Sequence, residues 1–305
     1  MRGNCEVGAP TAIPKSRSSF AARYATIGSP AHALPTAPAR PDEPMEIDPP
    51  ASTRADDAEG PAPPPRLLAA GDGAAWWGES WRIFCAAPFA WIGIFVVFVV
   101  LSIGLVMIPI VGSLVHTVLT PVFAGGVMLG CHALARGRPL TIGHLFEGFQ
   151  RGRFAPLVTL GLIWLAVLIV IAVVMVATVF LALGASGLAA LMDVGGSTPI
   201  DYAALMSAGT AIFVVGIIAT LITLVIAMAY WFAPALVVLN GETPMDALSK
   251  SFTASWHNVG AFLLYGLVFI GLAIAASIPL ALGWFVLGPM LVGSCYAGWR
   301  TIFGR

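Results

Sequence analysis

The sequence predicts an all-α, polytopic helical membrane protein with six transmembrane helices and cytoplasmic amphipathic helices, preceded by a disordered N-terminal tail. Three observations predict it. The chain of 305 residues is 58% hydrophobic and only 10% charged, where a soluble domain carries roughly a quarter charged residues. The charge is also segregated. Of the 15 basic and 15 acidic side chains, more than half precede residue 83, and residues 154–192, 202–241 and 258–299 contain none, as burial in hydrocarbon demands. Finally, the basic residues near apolar stretches alternate in position along the chain, as six crossings require.

Residues 1–75 read as the disordered tail. The stretch 30–65 is rich in Pro, Ala, Asp and Glu and nearly devoid of aromatic and β-branched residues, so it buries too little apolar area to offset ordering entropy. The first 30 residues carry Arg2, Lys15, Arg17 and Arg23 with serines, a composition shared by transit peptides and by plain unstructured tails. Met45 offers an alternative start.

The membrane domain is expected over 76–305. Trp76, Trp77, Trp81 and Phe84 form an aromatic stripe over 76–87, read as an interfacial lead-in because tryptophan favours the headgroup level. Spans are expected at 88–107, 113–135, 154–183, 209–239, 259–276 and 284–299. Pro109 with Gly112 and Pro279 with Gly283 mark tight turns, and Pro121 is expected to kink the second span. The third span exceeds the ~20 residues a bilayer needs and must tilt or protrude. Two further amphipathic lead-ins are expected at 140–153 and 243–258. On the latter, Met245, Leu248, Phe252 and Trp256 share one face.

Orientation follows from the arginines and lysines. Arg82 precedes the first span, Arg136, Arg138, Arg151 and Arg153 lie between the second and third, Lys250 lies between the fourth and fifth, and Arg300 and Arg305 end the chain. Six crossings put all of these on one side and both termini in the cytoplasm. Three segments also share one plan, a lead-in followed by a span: 77–95, 145–164 and 248–267. Leu145, Phe149 and Arg153 align with Leu248, Phe252 and Trp256. Thr120-Pro121 with Gly125 matches Gly288-Pro289 with Gly293, so spans one–two and five–six read as hairpins in a parallel repeat.

Chemistry-bearing residues are sparse. Cys5, Cys85, Cys131 and Cys295 have no metal-ligand spacing, and no base and acid accompany a serine, so the expectation is no enzyme, cofactor or metal. Nor is there a basic patch suited to nucleic acid. His116 has two readings, a proton site or ligand to a substrate, or an interfacial histidine bonded to a carbonyl or headgroup. Trp231, Phe232 and Pro234, with Asn240 following, form a packing motif with a kink, or line a cavity where unwound carbonyls are exposed. Arg136, Arg138, Arg151 and Arg153 are candidates to contact anionic lipid. Partners expected are the lipid bilayer, anionic lipids and other membrane proteins.

The string Trp231-Phe232-Ala233-Pro234-Ala235-Leu236, followed by Asn240-Gly241-Glu242-Thr243-Pro244-Met245-Asp246-Ala247-Leu248 and Ser251-Phe252, resembles an uncharacterised family of proteobacterial multi-span inner-membrane proteins. More distantly it is similar to the membrane domain beside some glycerophosphodiester phosphodiesterases. The resemblance covers about 76–299. It implies a bacterial inner-membrane location and brings no catalytic residue, because the phosphodiesterase chemistry sits in a separate soluble domain absent here. The sequence thus leaves two functions open: a non-enzymatic protein that organises lipids or binds partners, or a permease or channel for a small neutral or apolar solute.

Overall fold

The computed structural model describes residues 59–192 and 202–304. The expected tail up to residue 58 and the acidic loop residues Asp193 and Asp201 lie outside them. Among the described residues, nine α-helices run α1 (Ala70–Ala86), α2 (Pro88–Val106), α3 (Val111–Ala135), α4 (Phe154–Met192), α5 (Tyr202–Tyr230), α6 (Ala233–Asn240), α7 (Pro244–His257), α8 (Val259–Ser277) and α9 (Trp284–Phe303), with a 3-10 helix at Ile142–Phe149. Among the described residues no strand occurs.

Helix limits follow local chemistry. α4 breaks at Gly184, whose φ of 61° is left-handed, so the long third span stops where expected. Gly241 (φ 68°) caps α6 in the left-handed conformation. Thr243 accepts from the Asp246 N–H to open α7, with Pro244 in its first turn. Gly112 and Gly283 hold the two tight turns. A side chain on Gly112 would meet the Leu105 carbonyl, and one on Gly283 the backbone of Ala276. Each glycine thus packs on the residue seven positions earlier.

Among the described residues, five stretches are long and apolar enough to cross a membrane: Pro88–Val106, Val111–Ala135, Phe154–Gly184, Leu205–Asn240 and Val259–Ser277. The remaining expected span, 284–299, forms the first part of α9. That helix is less apolar because it is an interior element. Leu287, Met290, Ser294, Tyr296 and Trp299 are all buried against other helices rather than facing lipid.

The chain is built from three units, each a lead-in followed by two helices. The first is α1–α2–α3, the second the 3-10 helix–α4–α5/α6, the third α7–α8–α9. The lead-ins align at Trp77, Leu145 and Leu248, and three residues on at Ser80, Gly148 and Ser251. These last three residues make equivalent contacts. Ser80 Oγ donates to the Met290 carbonyl of α9 (2.6 Å). Ser251 Oγ donates to the Met228 carbonyl of α5 (3.0 Å). Gly148 lies so close to the Val122 carbonyl of α3 that an added Cβ would sit 2.0 Å from it. Each lead-in therefore seats on the second helix of the unit before it, and the first unit closes the ring onto the third. The sequence shows the first and third hairpins as relatives; the contacts bring in the second.

Two expectations need correction. The ordered part does not begin at 76. Residues 59–69 form an extended strap, and α1 begins at Ala70. The strap is held by distant side chains, which its own Pro/Ala composition does not disclose. Asn258 accepts from the Leu68 N–H (2.8 Å) and donates to the Arg66 carbonyl (3.1 Å). Glu242 accepts from the Ala62 N–H (2.8 Å). Next, the aromatic stripe of α1 does not all face outward. Trp76 and Trp77 are 2% and 4% exposed, packed on Phe262, Tyr265 and Phe269 of α8, while Trp81 faces out. On α7 it is the face of small residues that packs inward. Ala247, Ser251, Ala254 and Ser255 are buried, whereas Met245 and Trp256 are 67% and 59% exposed. Small residues permit the close helix approach that bulky ones prevent.

Candidate functional site

The expected fourth span is not one continuous helix. It breaks at Trp231-Phe232 between α5 and α6, with Pro234 in the first turn of α6, where its missing N–H costs nothing. The break frees backbone groups at depth, each of which must find a partner. Ser251 Oγ accepts from the Phe232 N–H (3.0 Å) and donates to the Met228 carbonyl, which also accepts from Ser255 Oγ (3.1 Å). The Trp231 carbonyl accepts from the Cys295 thiol (3.1 Å). The Met228 and Trp231 carbonyls are thus satisfied by α7 and α9. Phe232 is fully buried against Phe262 and Phe303, so it belongs to the core.

Trp231 and Pro234 line a cavity. A hollow of about 650 Å³ lies between the second helices of the three units. It is bounded by Pro121 and Met128 of α3, Tyr230 and Trp231 of the break, Pro234 of α6, and Leu291 and Cys295 of α9. Trp164 of α4 and His116 near the start of α3 complete its wall. His116 Nε2 lies 3.1 Å from Ser102 Oγ on α2. The partner is therefore a side-chain hydroxyl, where the sequence suggested a carbonyl or headgroup. On the other side of the α3–α9 crossing sits a smaller hollow of about 200 Å³, closed by Trp91, Phe95 and Phe98 of α2. A third, of about 460 Å³, runs between α4 and α5 and is lined wholly by aliphatic side chains.

Asn240 does more than end α6. Its Oδ1 accepts from Trp299 Nε1 (2.9 Å) and its Nδ2 donates to the Gly60 carbonyl of the strap (3.0 Å). Beside it, His132 Nδ1 and Tyr296 OH are 3.2 Å apart, and the His132 ring meets Tyr296 and Trp299 edge-on. This buried polar cluster ties α3, α6, α9 and the strap together. The role of His132 has no sequence signature, since partners 164 positions apart leave no local pattern.

Arg136 and Arg138 follow α3, and Arg151 and Arg153 precede α4. Arg136, Arg138 and Arg151 are exposed and Arg153 half-buried, with Arg153 donating to Gln150 (3.3 Å). Bulky apolar side chains accompany them. On the 3-10 helix, Ile142 and Phe146 face out while Leu145 packs inward.

Apolar helices joined by a buried polar cluster define an integral, polytopic α-helical membrane protein. The chain belongs to the same family as a probable inner membrane protein of Burkholderia thailandensis. It is 30% identical to that relative over 257 residues, which span 78% of this chain and 93% of the relative. No family model matches the chain, and no solved structure matches it.

Proposed function

We propose that this is a non-enzymatic protein of the bacterial inner membrane that organises anionic lipid and partner proteins at its basic end. In this reading both termini are cytoplasmic, because the basic residues near spans gather on the side where positive charge is retained. The observation that carries the proposal is the way the lead-ins sit. They bind the bundle through small residues, Ser80, Gly148 and Ser251, and turn Trp81, Phe146, Met245 and Trp256 outward. Outward apolar side chains on segments flanked by Arg136, Arg138, Arg151 and Arg153 suit the headgroup–acyl boundary of an anionic leaflet.

The test is native mass spectrometry of the protein extracted with its surrounding lipid. Retained anionic lipid that is lost when the four arginines are changed to glutamine supports the reading; equal retention by the variant removes it. The orientation has its own test. A reporter active only outside the cytoplasm should work when fused near Gly196 and fail near Arg138.

A second reading, a permease for a small neutral or apolar solute, is favoured by the hollow between the second helices. The likeness to the membrane domain beside glycerophosphodiester phosphodiesterases rests on the string from Trp231 to Phe252 alone, and adds no activity to either reading.

A further inference from the structure

We propose that the hollow between the three second helices is a binding site for one acyl chain of a bilayer phospholipid. The proposal stands apart from the basic end, which uses different residues.

The volume of about 650 Å³ lies within the range of roughly 300–1,000 Å³ found for ligand pockets. Its hydroxyls and its thiol are already engaged. Thr117 and Thr120 donate to the carbonyls of Ser113 and His116 (both 2.8 Å). The Tyr230 hydroxyl donates to the Leu160 carbonyl, and the Cys295 thiol to that of Trp231. His116 meets Ser102. A water molecule needs two to four polar partners to stay in a cavity, and an apolar one stays dry. An empty hollow of this size forfeits dispersion contacts along its whole wall, so a hydrocarbon guest is favoured.

The surroundings select which hydrocarbon. Trp164 and Ala227, on the wall, adjoin Ile163 and Ile226, which begin the aliphatic groove between α4 and α5. The outer surfaces of those helices expose Val170, Val173, Phe213 and Ile217. The hollow thus shares α4 and α5 with the aliphatic groove, and these helices turn their outer surfaces to lipid tails. An acyl chain can extend from the bilayer along this groove and end beside Trp231 while its headgroup stays outside.

The experiment uses the full chain in nanodiscs of phosphatidylethanolamine and phosphatidylglycerol, doped with a phospholipid carrying a diazirine near the end of one acyl chain. After illumination, labelled residues are mapped by mass spectrometry. The proposal predicts label concentrated at Trp164, Tyr230 and Trp231, and a several-fold loss of that label in Ala227→Trp and in Ala124→Leu, each of which fills the hollow from a different helix. Label confined to outer positions such as Val173 and Ile217 in the wild-type chain would overturn it, whether or not the variants fold. So would interior label that both folded variants retain. Interior labelling by a free diazirine-bearing alkane but not by the phospholipid would also overturn it, and would favour the solute reading.

Discussion

The molecule has two regions that meet the same requirement differently. In the limbs formed by α2, α4, α5 and α8, side chains face outward, and fewer than one residue in eight of the most apolar stretch in α2 or α8 is buried in protein. Hydroxyls there, such as Thr178 and Thr220, bond the carbonyl of their own helix four residues back. In the layer at the basic end, formed by the strap, α1, α6, α7 and the final turns of α3 and α9, side chains interlock. Polar groups there reach across elements: Asn240 to Trp299, Asn258 to the strap, Ser251 to the helix break. Lipid is as apolar as leucine, so limbs gain little from burying aliphatic surface, and association depends on close packing and interhelical hydrogen bonds. The three-unit ring concentrates both in the layer.

This contrast can be broken at graded points. Gly148→Val should have the largest effect, since its side chain would overlap the Val122 carbonyl. A cost above ~3 kcal/mol is expected for a clash with backbone, read as loss of the monodisperse peak in detergent. Gly216→Ala, on a limb with open space around it, should leave that peak unchanged. Asn240→Leu should cost about 2–3 kcal/mol, since it leaves the Trp299 N–H and the Gly60 carbonyl unpaired; thermal unfolding followed by tryptophan fluorescence reads it. Ser251→Ala should cost about 1–2 kcal/mol in the same assay, because the Phe232 N–H loses its partner while Met228 keeps Ser255. Thr220→Val on the limb should shift stability by less than ~0.5 kcal/mol. A large effect there, or none at Asn240, would erase the distinction between the regions.

Local features of the fold were legible where local chemistry decides them. The helix limits at Gly184, Gly241 and Thr243-Pro244, and the turns at Gly112 and Gly283, follow from residues that act on their own backbone. What was missed depends on partners far along the chain. The Pro61–Pro65 stretch reads as unfoldable by composition, yet side chains at 240, 242 and 258 hold the strap around it. Amphipathicity located α7, and its bulky residues Met245 and Trp256 face out because an apolar solvent removes the usual reason to bury them. In the candidate site, Trp231 and Pro234 were visible as an aromatic-proline string. The role of Asn240 was not, since a helix-ending asparagine looks the same whether it caps or clamps.

The central claim is that the three units close into a ring, with the lead-in of the first seated on the last helix of the third. It is tested by placing cysteines at Ser80 and Gly293 in a chain whose native cysteines are alanine. An added Cβ on Gly293 would lie 3.4 Å from that of Ser80, close to the spacing a disulfide spans. The account predicts that Ser80→Cys with Gly293→Cys oxidises to an intramolecular crosslink in the membrane, linking the peptides of α1 and α9. A folded protein in which the two thiols remain reducible and separately labelled after oxidation would contradict it.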